Sequence, residues 1–221
     1  HHNRVRRQRQ MCIRDRLEEG APWPDFGAQA EILTMVGQLI GEDIILWSSG
    51  YFGKPADVGK ATPWHQDGGY WPIRPLATCT AWVALDDATP ENGCMRMIPG
   101  SHKPQVLYDH DRNDADNLTL NQELPSRSFD ETKAEYLELK AGQISLHDVY
   151  MVHCSAANTS PHRRRGITFR YMPATSHFDR DLARRQHREM GVVEHEFRTL
   201  FQVSGIDACG KHELIRLRPA A

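Results

Sequence analysis

His65 and Asp67 stand two residues apart in the stretch Trp64-His65-Gln66-Asp67, and that spacing has a chemical use. In an extended strand, residues i and i+2 point to the same face. An imidazole nitrogen and a carboxylate oxygen can then grip one cation side by side. A third ligand from elsewhere would close one triangular face of an octahedron and leave the opposite positions open. Two histidines and one carboxylate with open positions form the ligand set of non-haem Fe(II) oxygenases. His153, far downstream in His153-Cys154-Ser155, is the candidate third ligand.

A lone His-x-Asp is a weak signal in a chain with twelve histidines, and its ordinary meaning is a surface pair. The distal segment strengthens it. Ser155 lies two residues beyond His153 and shares its face. Arg163, Arg164 and Arg165 then enter the next strand. A guanidinium is a planar fork that binds a carboxylate through two parallel hydrogen bonds. An iron oxygenase using a keto-acid co-substrate needs such an anchor for the far carboxylate. For two of the three arginines a solvated basic turn is the ordinary reading. His102, His110, His147, His162 and His177 are each read as surface or packed side chains. His147-Asp148 lacks the intervening residue that same-face chelation requires.

Stepwise along the chain, Ile32, Leu33, Val36, Leu39 and Ile40 form a helical stripe that Gly41 ends. Residues 44–52, 78–85, 94–98, 136–139, 143–147, 150–155 and 166–171 have the composition of short strands. Pro90-Glu91-Asn92-Gly93 is a hairpin-type turn signal. Many short strands between Gly, Pro and Asn turns predict a mainly β fold, an antiparallel barrel or sandwich of the jelly-roll kind. Residues 102–133 are polar and aperiodic, as expected of a surface insertion or lid. Residues 178–201 predict a charged amphipathic helix pair, with a final edge strand after it.

The length of 221 residues fits one domain, and the formal charge of −2 gives no drive toward nucleic acid or acidic membranes. No apolar run approaches the ~20 residues of a membrane span. Five scattered cysteines without a Cys-x-x-Cys pair support neither a zinc ribbon nor a disulfide framework, and a reducing cytoplasm fits them. The arginine-rich residues 1–16 have no apolar centre, so they are no secretory signal. They are read as a disordered or foreign leader, leaving residues 17–221 as one jelly-roll domain.

The runs TPWHQDGGYWPIRPLATCTAWVALDDATPENGCMRMIPGSHK and GQISLHDVYMVHCSAANTSPHRRRGITFRYMP resemble the phytanoyl-CoA dioxygenase family over roughly residues 44–173. That family consists of Fe(II)- and 2-oxoglutarate-dependent oxygenases on a double-stranded β-helix, a cupin-like jelly roll. The resemblance implies that His65, Asp67 and His153 ligate iron. It implies that Arg164, eleven residues after the distal histidine, pairs with the far carboxylate of 2-oxoglutarate, with Ser155, Trp82 and Gln66 as further co-substrate contacts. The implied reaction couples decarboxylation of 2-oxoglutarate by O₂ to hydroxylation of a C–H bond in a small metabolite, releasing succinate and CO₂. Asp67 argues against halogenation, for which halide would need its place on iron. Two departures stand out: the N-terminal part is short, as in a truncated member, and Cys154 replaces the usual glycine after the distal histidine. A cupin-like metal-binding protein, or a fragment without oxygenase activity, is the alternative.

Overall fold

The computed structural model describes residues 12–13 and 22–217. After the two-residue strand β1 (Cys12–Ile13) come two helices, α1 (Pro22–Gly27) and α2 (Ala30–Ile40). Ile32, Leu33 and Val36 occupy the buried stripe of α2, and Gly41 stops it at a φ of +90°. The strands that follow are β2 (Ile44–Lys54), β3 (Thr62–His65), β4 (Ile73–Arg74), β5 (Cys79–Ala84) and β6 (Met95–Met97). Next come β7 (Asp111–Arg112), β8 (Gln122–Glu123), β9 (Glu135–Leu137), β10 (Ile144–Asp148) and β11 (His153–Ser155). The chain continues through β12 (Arg164–Pro173), β13 (His177–Phe178), helix α3 (Arg180–Met190), β14 (Leu200–Ser204) and β15 (Leu214–Arg216).

Two sheets carry the fold. The larger runs β10-β5-β12-β2-β14-β15, with β1 also on β2, and the smaller runs β3-β11-β6-β9. The result is a mainly β jelly roll with flanking helices. Side-chain alternation gives the large sheet two unlike faces. Ile44, Leu46, Ala81, Val83, Ile167, Phe169 and Tyr171 cluster on one face with Ile32, Leu33 and Val36 of α2. Burying each large apolar side chain there contributes roughly 1.5–3 kcal/mol, so this helix-covered face anchors the sheet. The other face is free to carry Thr80, Trp82, Arg164, Thr168 and Arg170, all on alternate residues of β5 and β12.

Two expectations need correction. The turn at residues 90–93 does not close a hairpin, because β5 and β6 belong to different sheets. Gly93, at φ +78°, instead lets the chain cross between sheets where a Cβ would stand 2.4 Å from Ala156 O. The helix pair at residues 178–201 is a single helix, capped by Asp179 accepting from the Leu182 amide and ended by left-handed Gly191. Its charges are largely paired, Arg184 with Asp181 and Glu196, Arg188 with Glu189. Within the arginine-rich beginning, Cys12 and Ile13 pair antiparallel with Phe52 and Tyr51; the rest of residues 1–16, on which the leader expectation falls, lies outside the described residues. The expected edge strand is β15, parallel to β14.

Candidate active site

β3 and β11 are antiparallel neighbours, and their register sets His65 directly opposite His153. Cross-strand partners share a face, and the two rings lie 4.1 Å apart. His65 Nδ1 is 2.9 Å from Pro63 O, and His153 Nδ1 is 2.9 Å from Met151 O. Donation by each Nδ1–H to its carbonyl leaves each Nε2 lone pair free to bind a cation. Asp67 lies just past the strand, at the start of a 3₁₀ turn (Asp67–Tyr70). Gln66 stays extended between them (φ −120°, ψ 138°), so the i, i+2 relation survives one residue beyond the ladder. His65 Nε2 and Asp67 Oδ1 are 3.6 Å apart, and one ligand atom from each of His65, Asp67 and His153 lies within 4.8 Å of the others.

The protonation states suit a cation, which needs neutral imidazole and ionised carboxylate. Burial alone would raise the Asp67 carboxyl, but the neighbouring His147, His65 and His153 imidazoles hold it well below the usual carboxylate range. Burial, then the neighbouring His65, pushes His153 down to about 3. This donor set fits a first-row divalent metal on one face with open positions opposite.

Of the three consecutive arginines, Arg164 alone is buried. Arg165 forms a two-pronged pair with Asp86 at 2.8 Å on each side, and Arg163 lies 3.6 Å from the same carboxylate. Arg164 turns inward instead, its guanidinium 5.3 Å from the Trp82 ring. It donates to Gly93 O at 2.9 Å, and its Nε is buried without a partner. Trp82 is positioned by Gly166, where a Cβ would stand 2.1 Å from the indole. Ser155 is buried beside this group at the end of β11.

A family model described as phytanoyl-CoA dioxygenase (PhyH) matches residues 3–166. The chain belongs to the phytanoyl-CoA dioxygenase family. A probable alpha-ketoglutarate-dependent hypophosphite dioxygenase of Stutzerimonas stutzeri is 32% identical over 146 residues, covering 65% of this chain and 50% of the relative. The peroxisomal phytanoyl-CoA dioxygenase of Homo sapiens is 30% identical over 154 residues, covering 67% of this chain and 45% of the relative. The chain thus spans about half the length of these curated relatives. Among solved structures, the apo form of the non-heme monooxygenase ThoJ superposes with a TM-score of 0.66 at 28% identity, covering 90% of this chain and 67% of that one.

In this family member three polar residues join the site that the sequence did not single out for it. His147, read above as a packed histidine, is buried with Nε2 at 3.8 Å from Asp67 Oδ2 and its ring 5.0 Å from that of His153. Its alternation with Ser145 along β10 was the available signal. Lys54 pairs with Arg164 across β2 and β12. Its Nζ lies within hydrogen-bonding reach of Lys60 O (2.6 Å), Ala156 O (2.5 Å) and Ser155 O (3.3 Å). Burial, then the Arg164 charge, lowers the ammonium to about 7. A lysine ending an otherwise apolar strand was its only mark. His110 arrives from the polar insertion, its Nε2 accepting from the Gln66 amide at 3.1 Å.

Gln66 behaves differently from the expected co-substrate contact. Its side chain is fully buried, donates to Val106 O at 2.9 Å and Tyr150 O at 2.8 Å, and accepts from the Tyr108 amide at 2.9 Å. All these partners are backbone groups, so the carboxamide fastens residues 106–108 next to the triad and has no donor left for a co-substrate.

Proposed function

We propose that this chain is an Fe(II)- and 2-oxoglutarate-dependent dioxygenase that hydroxylates an unactivated C–H bond of a small metabolite. The observation that carries the reading is the convergence of His65, Asp67 and His153, with an inward arginine on the facing sheet. His65 Nε2, His153 Nε2 and an Asp67 oxygen would hold Fe(II). When bound, the metal with 2-oxoglutarate and O₂ supplies the oxidising chemistry, giving succinate and CO₂ with the hydroxylated product.

The protein's share is position and electrostatics. Pro63 O and Met151 O fix the two imidazoles, and His147 steadies the Asp67 carboxylate. Arg164, which has no carboxylate partner among the described residues, would take the far carboxylate of 2-oxoglutarate through the Nε now left without a partner. Ser155 and Trp82 would flank that carboxylate. The buried, unpaired Thr80 Oγ1 and Ser145 Oγ give the inner face further hydrogen-bonding capacity. Within the described residues, no helix is long and apolar enough to cross a membrane. A cytoplasmic setting, without nucleic-acid partners, is part of the same proposal.

Anaerobic addition of Fe(II) and 2-oxoglutarate tests it. The expected result is a weak visible charge-transfer band, absent in Asp67→Ala and weakened in Arg164→Ala through poorer 2-oxoglutarate binding. A parent protein that binds metal but shows no band would be a cupin-like metal-binding protein instead.

A further inference from the structure

The large sheet carries a second inward arginine, Arg170. Arg164, Gly166, Thr168 and Arg170 alternate along β12 and share the face turned to the triad. Arg170 pairs with Thr80 of β5, and Thr80 pairs with His147 of β10. These three therefore form one transverse row, at whose end His147 touches Asp67. Two strand spacings place Arg170 roughly 10 Å from His147 across the sheet. The guanidinium is walled by aromatic rings, 5.5 Å from Trp71 and 5.6 Å from Phe52. Trp71 follows directly on the 3₁₀ turn that carries Asp67. Gly50 forms the floor, where a Cβ would stand 3.5 Å from an Arg170 terminal nitrogen.

Among the described residues, no carboxylate answers the charge of Arg170. Arg96, Arg112, Arg165 and Arg184 each have a carboxylate within hydrogen-bonding distance. Arg170 has no ion pair among the described residues; it makes one long hydrogen bond, 3.4 Å to Ser48 Oγ, and its Nε is buried without a partner. Trp47 Nε1 and Thr80 Oγ1 nearby are also buried and unpartnered. A cation held among apolar rings calls for a counter-ion. The two inward arginines have separate surroundings: Arg164 lies against Trp82 and donates to Gly93 O, whereas Arg170 lies against Trp71 and Phe52.

We infer that Arg170, with Trp71 and Phe52, forms a second anion subsite that holds a carboxylate or phosphoryl group of the substrate to be oxidised. The inference rests on the oxygenase reading for the word substrate, but the subsite itself does not. The flanking rings would strengthen the guanidinium–oxyanion pair by displacing water, and the partnerless Nε–H is available to an anion. An anionic tail fixed there would present the rest of a small molecule along the row toward Asp67.

The test titrates metal-free protein with inorganic phosphate and with acetate at constant ionic strength, following tryptophan emission, with acetamide as the neutral control. Saturable binding of at least one anion is expected, and which one binds tells phosphoryl from carboxylate recognition. Arg170→Gln should weaken it roughly tenfold or more, the effect of deleting hydrogen bonds to a charged group, with Arg170→Lys falling between. Arg164→Gln should leave it unchanged, and in the metal-loaded protein should weaken 2-oxoglutarate, which Arg170→Gln should not. Urea midpoints for each variant establish that it is folded. No saturable binding in the parent, equal binding by folded Arg170→Gln, or loss with Arg164→Gln alone overturns the subsite. Failure of the Fe(II)–2-oxoglutarate band with Arg170-dependent anion binding retained would remove the oxygenase reading and leave the subsite standing.

Discussion

His65 and His153 are held by the same device: each ring sends Nδ1 back 2.9 Å to the carbonyl of the residue two positions before it. The two strands are antiparallel, so this repeated i−2 bond aims two imidazoles from opposite directions at one point. The bond fixes tautomer and ring angle together, which prepares both Nε2 atoms before a cation arrives. Replacing either histidine by Gln should therefore lower metal affinity by more than the roughly 10–100-fold that loss of an outer partner produces. Equilibrium dialysis against Fe(II) under anaerobic conditions, with metal content measured, checks this. Retained stoichiometric binding in both variants would remove the triad from the proposal.

His147 should show the smaller effect. It touches Asp67 on the side away from His65, and its imidazole is the leading influence that holds that carboxylate ionised against burial. His147→Phe keeps a ring in the buried space but removes the nitrogen that faces the carboxylate. Metal affinity is expected to drop about 10–100-fold, with the fold intact. An unchanged affinity would mean that Asp67 needs no such support.

How much of this was legible beforehand follows from what each residue depends on. The His-x-Asp pair and the helix stripe are local, readable from periods of two and 3.6. The choice of Arg164 from three arginines is not local: it depends on the pleat of β12 and on Asp86, across the sheet, drawing Arg163 and Arg165 outward. His147, Lys54 and Arg170 escaped because the inner face is polar, which inverts the usual rule that apolar residues point inward. Their alternation was visible, but only the cover of α2 on the opposite face says which side is the cavity. The second helix expected before residue 201 failed for a simpler reason. Gly191 ends α3, and residues 200–204 have the β-rich composition that extends the large sheet beyond β2.

Gly166 gives a prediction at the co-substrate end. Its missing side chain is the space the Trp82 indole occupies, 2.1 Å from where a Cβ would be. Gly166→Ala must displace the indole or bend two paired strands. The expected cost is about 1–3 kcal/mol, as for other overpacked sites, read from urea denaturation. Because Arg164 lies over the same indole, 2-oxoglutarate affinity should fall with it. Loss of stability without loss of affinity would separate Trp82 from the co-substrate site.

Acid should destabilise the protein through histidines that are buried uncharged. His195 is held well below its ordinary value by burial, then by Arg198, Arg170 and His187, and Arg198 Nε donates to its Nδ1 at 2.7 Å, which requires the unprotonated nitrogen. His110 is lowered to about 4, first by burial and then by His65. For each, the unfolded chain takes up a proton near 6.5 that the folded chain refuses. Stability is thus complete above 6.5 and falls as pH drops below it, by up to about 1.4 kcal/mol per pH unit for each group. Urea midpoints measured from pH 7.5 to 5 should decline, and His195→Gln should flatten the slope. A profile that is level, or equally steep in the variant, would contradict the assignment.

Gln66 ties the polar insertion to the metal face, and removing its carboxamide should loosen one without unmaking the other. Gln66→Leu is close in size and leaves Val106 O, Tyr150 O and the Tyr108 N–H without their present partner. Each buried group left unsatisfied costs about 1–3 kcal/mol, but residues 105–107 lie near the surface and can open to water instead of bearing that cost. The expected outcome is local: faster hydrogen exchange at the Tyr108 amide and easier proteolysis around residues 105–110. Metal binding by the neighbouring ligands should change less than tenfold. Gln66→Glu, which keeps an acceptor for Tyr108 but loses both donors, should fall between the two. Global unfolding of the conservative variant, or unchanged exchange at Tyr108 in either, would show that the insertion is held by something other than this side chain.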